Sequence, residues 1–152
     1  SLDPGLPYAL LTRAEAYFCL GKNDSALIDL DKALVLDGTM QRALYLRSLI
    51  RYEMKDYALS LSDAKDAITK RGPSAGIFNL MALDHYRLGQ SENALQALDS
   101  AIHYNEKQGG YWFNRSLFLR SLSGSDSSSA SLSKARQLGY TGDSLFLERF
   151  RK

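Results

Sequence analysis

An all-α fold, built as a stack of four helical hairpins, is predicted by three features of the 152-residue sequence. Ala33, Ala67, Ala101 and Ala135 stand 34 residues apart. Seven residues before each stands another small residue: Ala26, Ser60, Ala94 and Ser128. Four residues into each unit stands a large apolar one, Leu10, Leu44, Phe78 and Trp112, and Phe146 continues that column. Two helices approach to ~8–10 Å only where a small side chain faces a bulky one, so a shared spacing of small and large positions means one packing arrangement repeated.

The period cuts the chain into units 7–40, 41–74, 75–108 and 109–142, followed by 143–152. In unit one a first helix is expected near 7–20, carrying Leu10, Ala14 and Tyr17, and a second near 24–37, carrying Ala26, Leu30 and Ala33. Gly21 suits a left-handed helix end, and Asn23-Asp24 offer side-chain oxygens to the first free amides of the next helix. Unit two repeats this near 41–54 and 58–71, with Lys55 where unit one has glycine and Asp56 as the cap. Unit three runs near 75–88 and 92–105, with Gly89 and Ser91 at the turn, and unit four near 109–122 and 126–138. Gly38, Gly72-Pro73, Gly109-Gly110 and Gly139 are expected to end the second helices. Ser121 to Ser133 is dense in serine, a mediocre helix former, yet Leu132 and Ala135 keep the register. The second helix of unit four is therefore expected to be the least stable of the stack. No alternating strand pattern competes.

These positions resemble the tetratricopeptide repeat. Unit one carries Ala14, Tyr17, Leu20-Gly21, Ala26, Leu30, Ala33-Leu34 and Leu36-Asp37, and unit three repeats Leu88-Gly89, Ala94, Leu98 and Ala101-Ile102. Unit two departs with Arg51 at the usual tyrosine and Lys55 at the turn glycine, and unit four with Ser123-Gly124 and a polar second helix. The resemblance implies a right-handed superhelical solenoid of four repeats forming a single domain over 1–152, with residues 143–152 as a terminal capping helix. Leu2-Asp3-Pro4 lies one period before Leu36-Asp37-Gly38, so residues 1–6 read as the tail of a preceding repeat, and the chain as a window from a longer protein.

The 45 % apolar content is that of a folded chain, and no run approaches the ~20 apolar residues of a membrane span. Compartment stays open, because no leader can be judged from an internal window. The single cysteine, Cys19, has no internal disulfide partner and reads as a small half-buried side chain. Net charge is only +2, which argues against nucleic acid as a partner. Basic against acidic side chains number three to five, seven to four, two to four and four to one in successive units, giving −2, +3, −2 and +3. Such alternation reads first as solvated surface.

In the family, function lies on the concave face, lined by residues two, five, nine, twelve and thirteen places into each unit. Carried over residue by residue, this places Tyr8, Leu11, Glu15, Phe18 and Cys19 in unit one and Arg42, Tyr45, Leu49, Tyr52 and Glu53 in unit two. Gly76, Asn79, Leu83, Tyr86 and Arg87 follow in unit three, then Gly110, Phe113, Leu117, Arg120 and Ser121 in unit four. A contiguous aromatic line of that size exceeds what a monomer normally exposes, and Tyr and Arg dominate protein–protein hot spots. The reading is a groove for an apolar or amphipathic segment of another protein. Arg42, Arg87 and Arg120 are candidates to hold an acidic side chain or terminal carboxylate. Replacing Tyr45, Tyr52 and Phe113 together with serine is then expected to abolish binding while leaving helicity intact. Against this stands the plainer reading that an aromatic stripe at helical spacing is core.

The lysine, asparagine and arginine clamp by which one subgroup of the family grips chaperone peptides is not carried over, because its sites here are Leu11, Glu15, Leu46, Gly76 and Leu80. Catalysis finds no foothold. His85 occupies a packing position, His103 lies on a second helix, and neither sits in a metal-ligand pattern. There is no glycine-rich phosphate loop; Gly109-Gly110 reads as a break between repeats, and Glu15 facing Arg42 reads as a salt link. No enzyme activity, metal or cofactor is expected. The alternative to a receptor groove is a structural arm that associates with its own copies. RNA reading by helical repeats is disfavoured, since Glu15 and Glu53 share the inner face with the three arginines.

Overall fold

A computed structural model describes residues 5–123, 128–142 and 144–147. Among them are eight helices and no strand: α1 (Leu6–Cys19), α2 (Asn23–Leu36), α3 (Gln41–Glu53), α4 (Tyr57–Arg71), α5 (Ala75–Arg87), α6 (Ser91–Tyr104), α7 (Gly109–Ser123) and α8 (Ser129–Gln137). They pair as the four expected hairpins, α1 with α2, α3 with α4, α5 with α6 and α7 with α8. The chain groups into two compact units, Ser1–Gly72 and Pro73–Lys152, each holding two hairpins.

The hairpin turns follow from backbone geometry repeated at the 34-residue period. Gly21, Lys55 and Gly89 all adopt φ near +70° (70°, 69° and 74°). That left-handed residue lets the next amide reach back over the helix end, so Lys22 N donates to Tyr17 O, Asp56 N to Arg51 O and Gln90 N to His85 O. Tyr140 N donates to Ala135 O in the same way after α8, with Gly139 at φ 79°. The expected side-chain caps on α2, α4 and α6 do not form. Lys22, Asp56 and Gln90 are the N-cap residues, with ψ of 64°, 59° and 65°, and no side-chain cap bond. An extended N-cap is needed to aim a side-chain oxygen at the first turn. Here that residue is already committed to closing the preceding helix.

Both small-residue columns are buried: Ala33, Ala67, Ala101, Ala135, Ala26, Ala94 and Ser60 are wholly inaccessible, and Ser128 nearly so. Hydroxyls at such positions need partners. Ser48 donates to Ser60 O at 2.9 Å, and Ser60 donates to Ser48 O at 2.8 Å, tying α3 to α4. A further tie joins residues 16 apart within a hairpin. Arg13 donates to Asp29 and Arg47 to Asp63, both at 2.7 Å, and Arg115 donates to Ser131 at 3.0 Å. Arg47 also reaches Asp31 of the previous hairpin and Arg115 reaches Asp99, so each guanidinium staples adjacent hairpins. The hydrogen bond from Arg13 holds the Asp29 carboxyl below the usual range, outweighing its burial, and the positive charge adds to the effect. Burial pulls the Arg47 pKa down, but the bonds and charges of Asp63 and Asp31 together raise it.

Three expectations are corrected. Residues 144–147 are not helical. The amide of Phe146 donates to the Asn114 side chain and its carbonyl accepts from Asn79 and Asn114, so side chains replace the helical i→i−4 partners. The remainder of the expected terminal helix, and most of the proposed tail 1–6, lie outside the described residues. Gly109 and Gly110 do not end α6, which stops at Tyr104; they open α7 and are buried there. Cys19 is exposed rather than half-buried, because it is the last residue of α1.

Candidate functional site

In the first unit α1 and α3 line an open cleft of about 620 Å³ formed with Met40, Gln41 and Arg71. Tyr8, Leu11, Thr12, Glu15 and Arg42 face it. Tyr8 is 60 % exposed while Leu11 is buried, so the cleft has an aromatic rim over an apolar floor. Arg42 donates to the Glu15 carboxylate across the two helices, the expected salt link. Arg71 closes one side through Thr39 O at 3.0 Å, and Gln41 fixes the end of α4 by donating to Gly72 O at 2.8 Å. The other first-unit candidates are less open. Phe18, Tyr45 and Tyr52 are half-buried, Tyr52 lies against Tyr57 with centroids 5.4 Å apart, and Leu49 is wholly buried.

In the second unit the first helices are α5 and α7. Leu83 and Asn79 are wholly buried, Tyr86 stacks on Phe118 at 4.3 Å, and Phe113 packs against Tyr140 at 5.0 Å. Leu117 is half-buried, and Arg87 and Arg120 are exposed. Of the six aromatic positions named from the sequence only Tyr8 is open, and Phe113 is buried against Tyr140. Serine at Phe113 would therefore disturb packing as well as binding, and the triple substitution cannot separate the two.

What this face does hold is a piece of non-helical chain. Asn114 accepts from Phe146 N at 2.7 Å and donates to Phe146 O at 2.8 Å, gripping both main-chain groups of one residue. Its amide also donates to Asn79 Oδ1 at 2.9 Å, and Asn79 donates to Phe146 O at 3.1 Å. The Phe146 ring meets Tyr111 and Tyr140 edge-on, with centroids 5.8 and 5.6 Å away. It lies over Gly110, where a β-carbon would collide with the ring. Asn79 and Gly110 are among the positions named from the sequence; Asn114 is not. The available signal was an amide directly after the aromatic run Tyr111-Trp112-Phe113, where burial obliges it to find partners.

Among the described residues no cluster of three or more His, Cys, Asp or Glu side chains can hold a metal, and no helix is long and apolar enough to cross a membrane. His85 is buried with Nδ1 2.6 Å from the Gln90 side chain.

No family description and no curated protein matches the sequence. Solved structures do. MamA superposes with a TM-score of 0.84 at 20 % identity, over 90 % of this chain and 80 % of MamA. YrrB, described as a TPR protein with an unusual peptide-binding site, superposes at 0.76 with 19 % identity, over 85 % of this chain and 66 % of YrrB. The first TPR of Spaghetti (RPAP3), solved bound to the HSP90 peptide SRMEEVD, gives 0.76 at 17 % identity, over 79 % of this chain and 95 % of that one. The fold is that of tetratricopeptide-repeat proteins.

Proposed function

We propose that the chain is a protein-interaction module whose first-helix faces hold an extended segment of a partner. The observation that carries this is the Asn79–Asn114 pair. Two buried amides are spent on the carbonyl and amide of a non-helical residue, and those are groups any extended peptide presents. The first-unit cleft supports the same reading, with exposed Tyr8 for an apolar side chain and the Arg42 and Arg71 guanidinia for acidic groups. Peptide binding by YrrB and by the RPAP3 repeat shows what this fold accommodates elsewhere. Tyr45, Tyr52, Phe18 and Leu117, being half-buried, offer edges rather than whole faces.

Selection from a random peptide library on the immobilised chain tests the proposal. Enrichment of apolar or amphipathic sequences whose binding is lost in Tyr8→Ser or Asn114→Ala is expected; binders indifferent to both substitutions would contradict it. A second reading, self-association, has its own support in Ile28 and Val35, which lie on one face of α2 and are 55 % and 86 % exposed.

A further inference from the structure

We propose that the α5–α7 face is a site for extended segments anchored by a phenylalanine, and that Leu145–Leu147 is its built-in occupant. An outside partner must displace that segment to bind. The inference rests on the interaction-module reading and adds the ligand class and its regulation.

Three observations converge on it. The first is recognition of main chain. Asn114 both accepts from and donates to Phe146, and Asn79 adds a second donor to the same carbonyl. These bonds select an extended residue of any identity, because helical residues have already used those groups. The second is the anchor pocket. Tyr111, wholly buried, and Tyr140 present ring edges to Phe146, and Gly110 leaves the floor open. A flat aromatic side chain fills this contact where an aliphatic one would leave edge contacts unmade. The third is the tether. After α8 the chain turns at Gly139 (φ 79°) and passes Gly142, where any β-carbon would collide with the Tyr140 ring. The link to Phe146 is thus short and glycine-bearing. The occupant itself stays half-buried and forms no helix or strand.

A short tether gives the occupant an effective concentration in the millimolar range, so a free copy of the same sequence competes poorly. Removing the anchor should therefore raise the apparent affinity for an outside peptide by tenfold or more, since the competent fraction of the site rises.

The probe is a fluorescein-labelled peptide of the chain's own residues 143–148, titrated into the 152-residue chain and followed by anisotropy. Phe146→Ala is expected to bind at least tenfold more tightly than the unmodified chain. Adding Asn114→Ala should abolish the gain, as should replacing the peptide's phenylalanine by serine. Equal affinity in both chains would overturn the built-in occupant while leaving the groove reading intact. No binding to a Phe146→Ala chain of native helicity would sink both. A Phe146→Ala chain that fails to fold would also refute the proposal, because a displaceable occupant cannot be needed for the fold. A second measurement needs no variant. Saturating peptide should accelerate hydrogen exchange at the Phe146 amide of the unmodified chain, and unchanged exchange with peptide bound would place the peptide elsewhere and overturn it.

Discussion

Single residues decide how tightly the hairpins close and what the first-helix face can grip. Lys55 is the clearest misfit, a side chain at φ 69° where the units on either side use glycine. Left-handed backbone costs a non-glycine residue ~1–2 kcal/mol. Lys55→Gly should therefore raise stability by up to about 1 kcal/mol after the added freedom of the unfolded chain is counted, measured by urea unfolding. Asn114 is the opposite case. Asn114→Ala strands the buried Asn79 side-chain oxygen and the Phe146 amide, and leaves the Phe146 carbonyl to Asn79 alone, at roughly 2–3 kcal/mol by the same assay. Asp29 provides a pH signature. Its folded pKa lies below the unfolded ~3.9, so its contribution is complete above that pH and is lost as pH falls through the folded value. Asp29→Asn should lower the melting temperature at pH 7 and flatten the acid limb of a melting-temperature profile. Alternation of charge along the sequence reads as solvated surface, yet Asp29 and Asp63 are buried and ion-paired. The pairing joins residues on two helices, and neither helix alone marks it.

At the scale of elements, the period places seven helices within about two residues of their observed ends and α8 within three, because small and large residues recur where hairpins must touch. The left-handed turn residues at Gly21 and Gly89 were equally legible, since backbone alone fixes them. Residues 144–147 were not. Locally they continue the first-helix pattern, Phe146 falling in the column of Leu10, Leu44, Phe78 and Trp112. Their conformation is instead set by Asn114, 32 residues earlier, whose side chain outcompetes the local helical partners. Nor could residue pattern separate exposed from packed aromatics; Tyr86 and Phe113 meet Phe118 and Tyr140, partners that only the fold supplies. Helix α8 is the shortest, nine residues against thirteen to fifteen elsewhere, and serine-rich. It should show the fastest amide exchange of the eight. Ser133→Ala, at an exposed site, should stabilise it by a few tenths of a kcal/mol. Ser131→Ala should instead destabilise it, because that hydroxyl accepts from Arg115.

At the scale of the whole molecule, the chain is proposed to present interaction surfaces, one of them filled by its own residues. If Phe146 is held within one chain, light scattering over a hundredfold concentration range should return a constant mass near 16.9 kDa. A dimer that dissociates on dilution would favour the self-associating arm, with one copy's segment seated in another's face. The most direct test of the central claim is the hydrogen-exchange rate of the Phe146 amide in the dilute, unmodified protein, compared with Asn114→Ala. An amide slowed well below the unstructured-peptide rate and released by the substitution is expected. Exchange at the unstructured rate in the unmodified protein would mean that no extended segment is held on this face, and the reading built on it would fall.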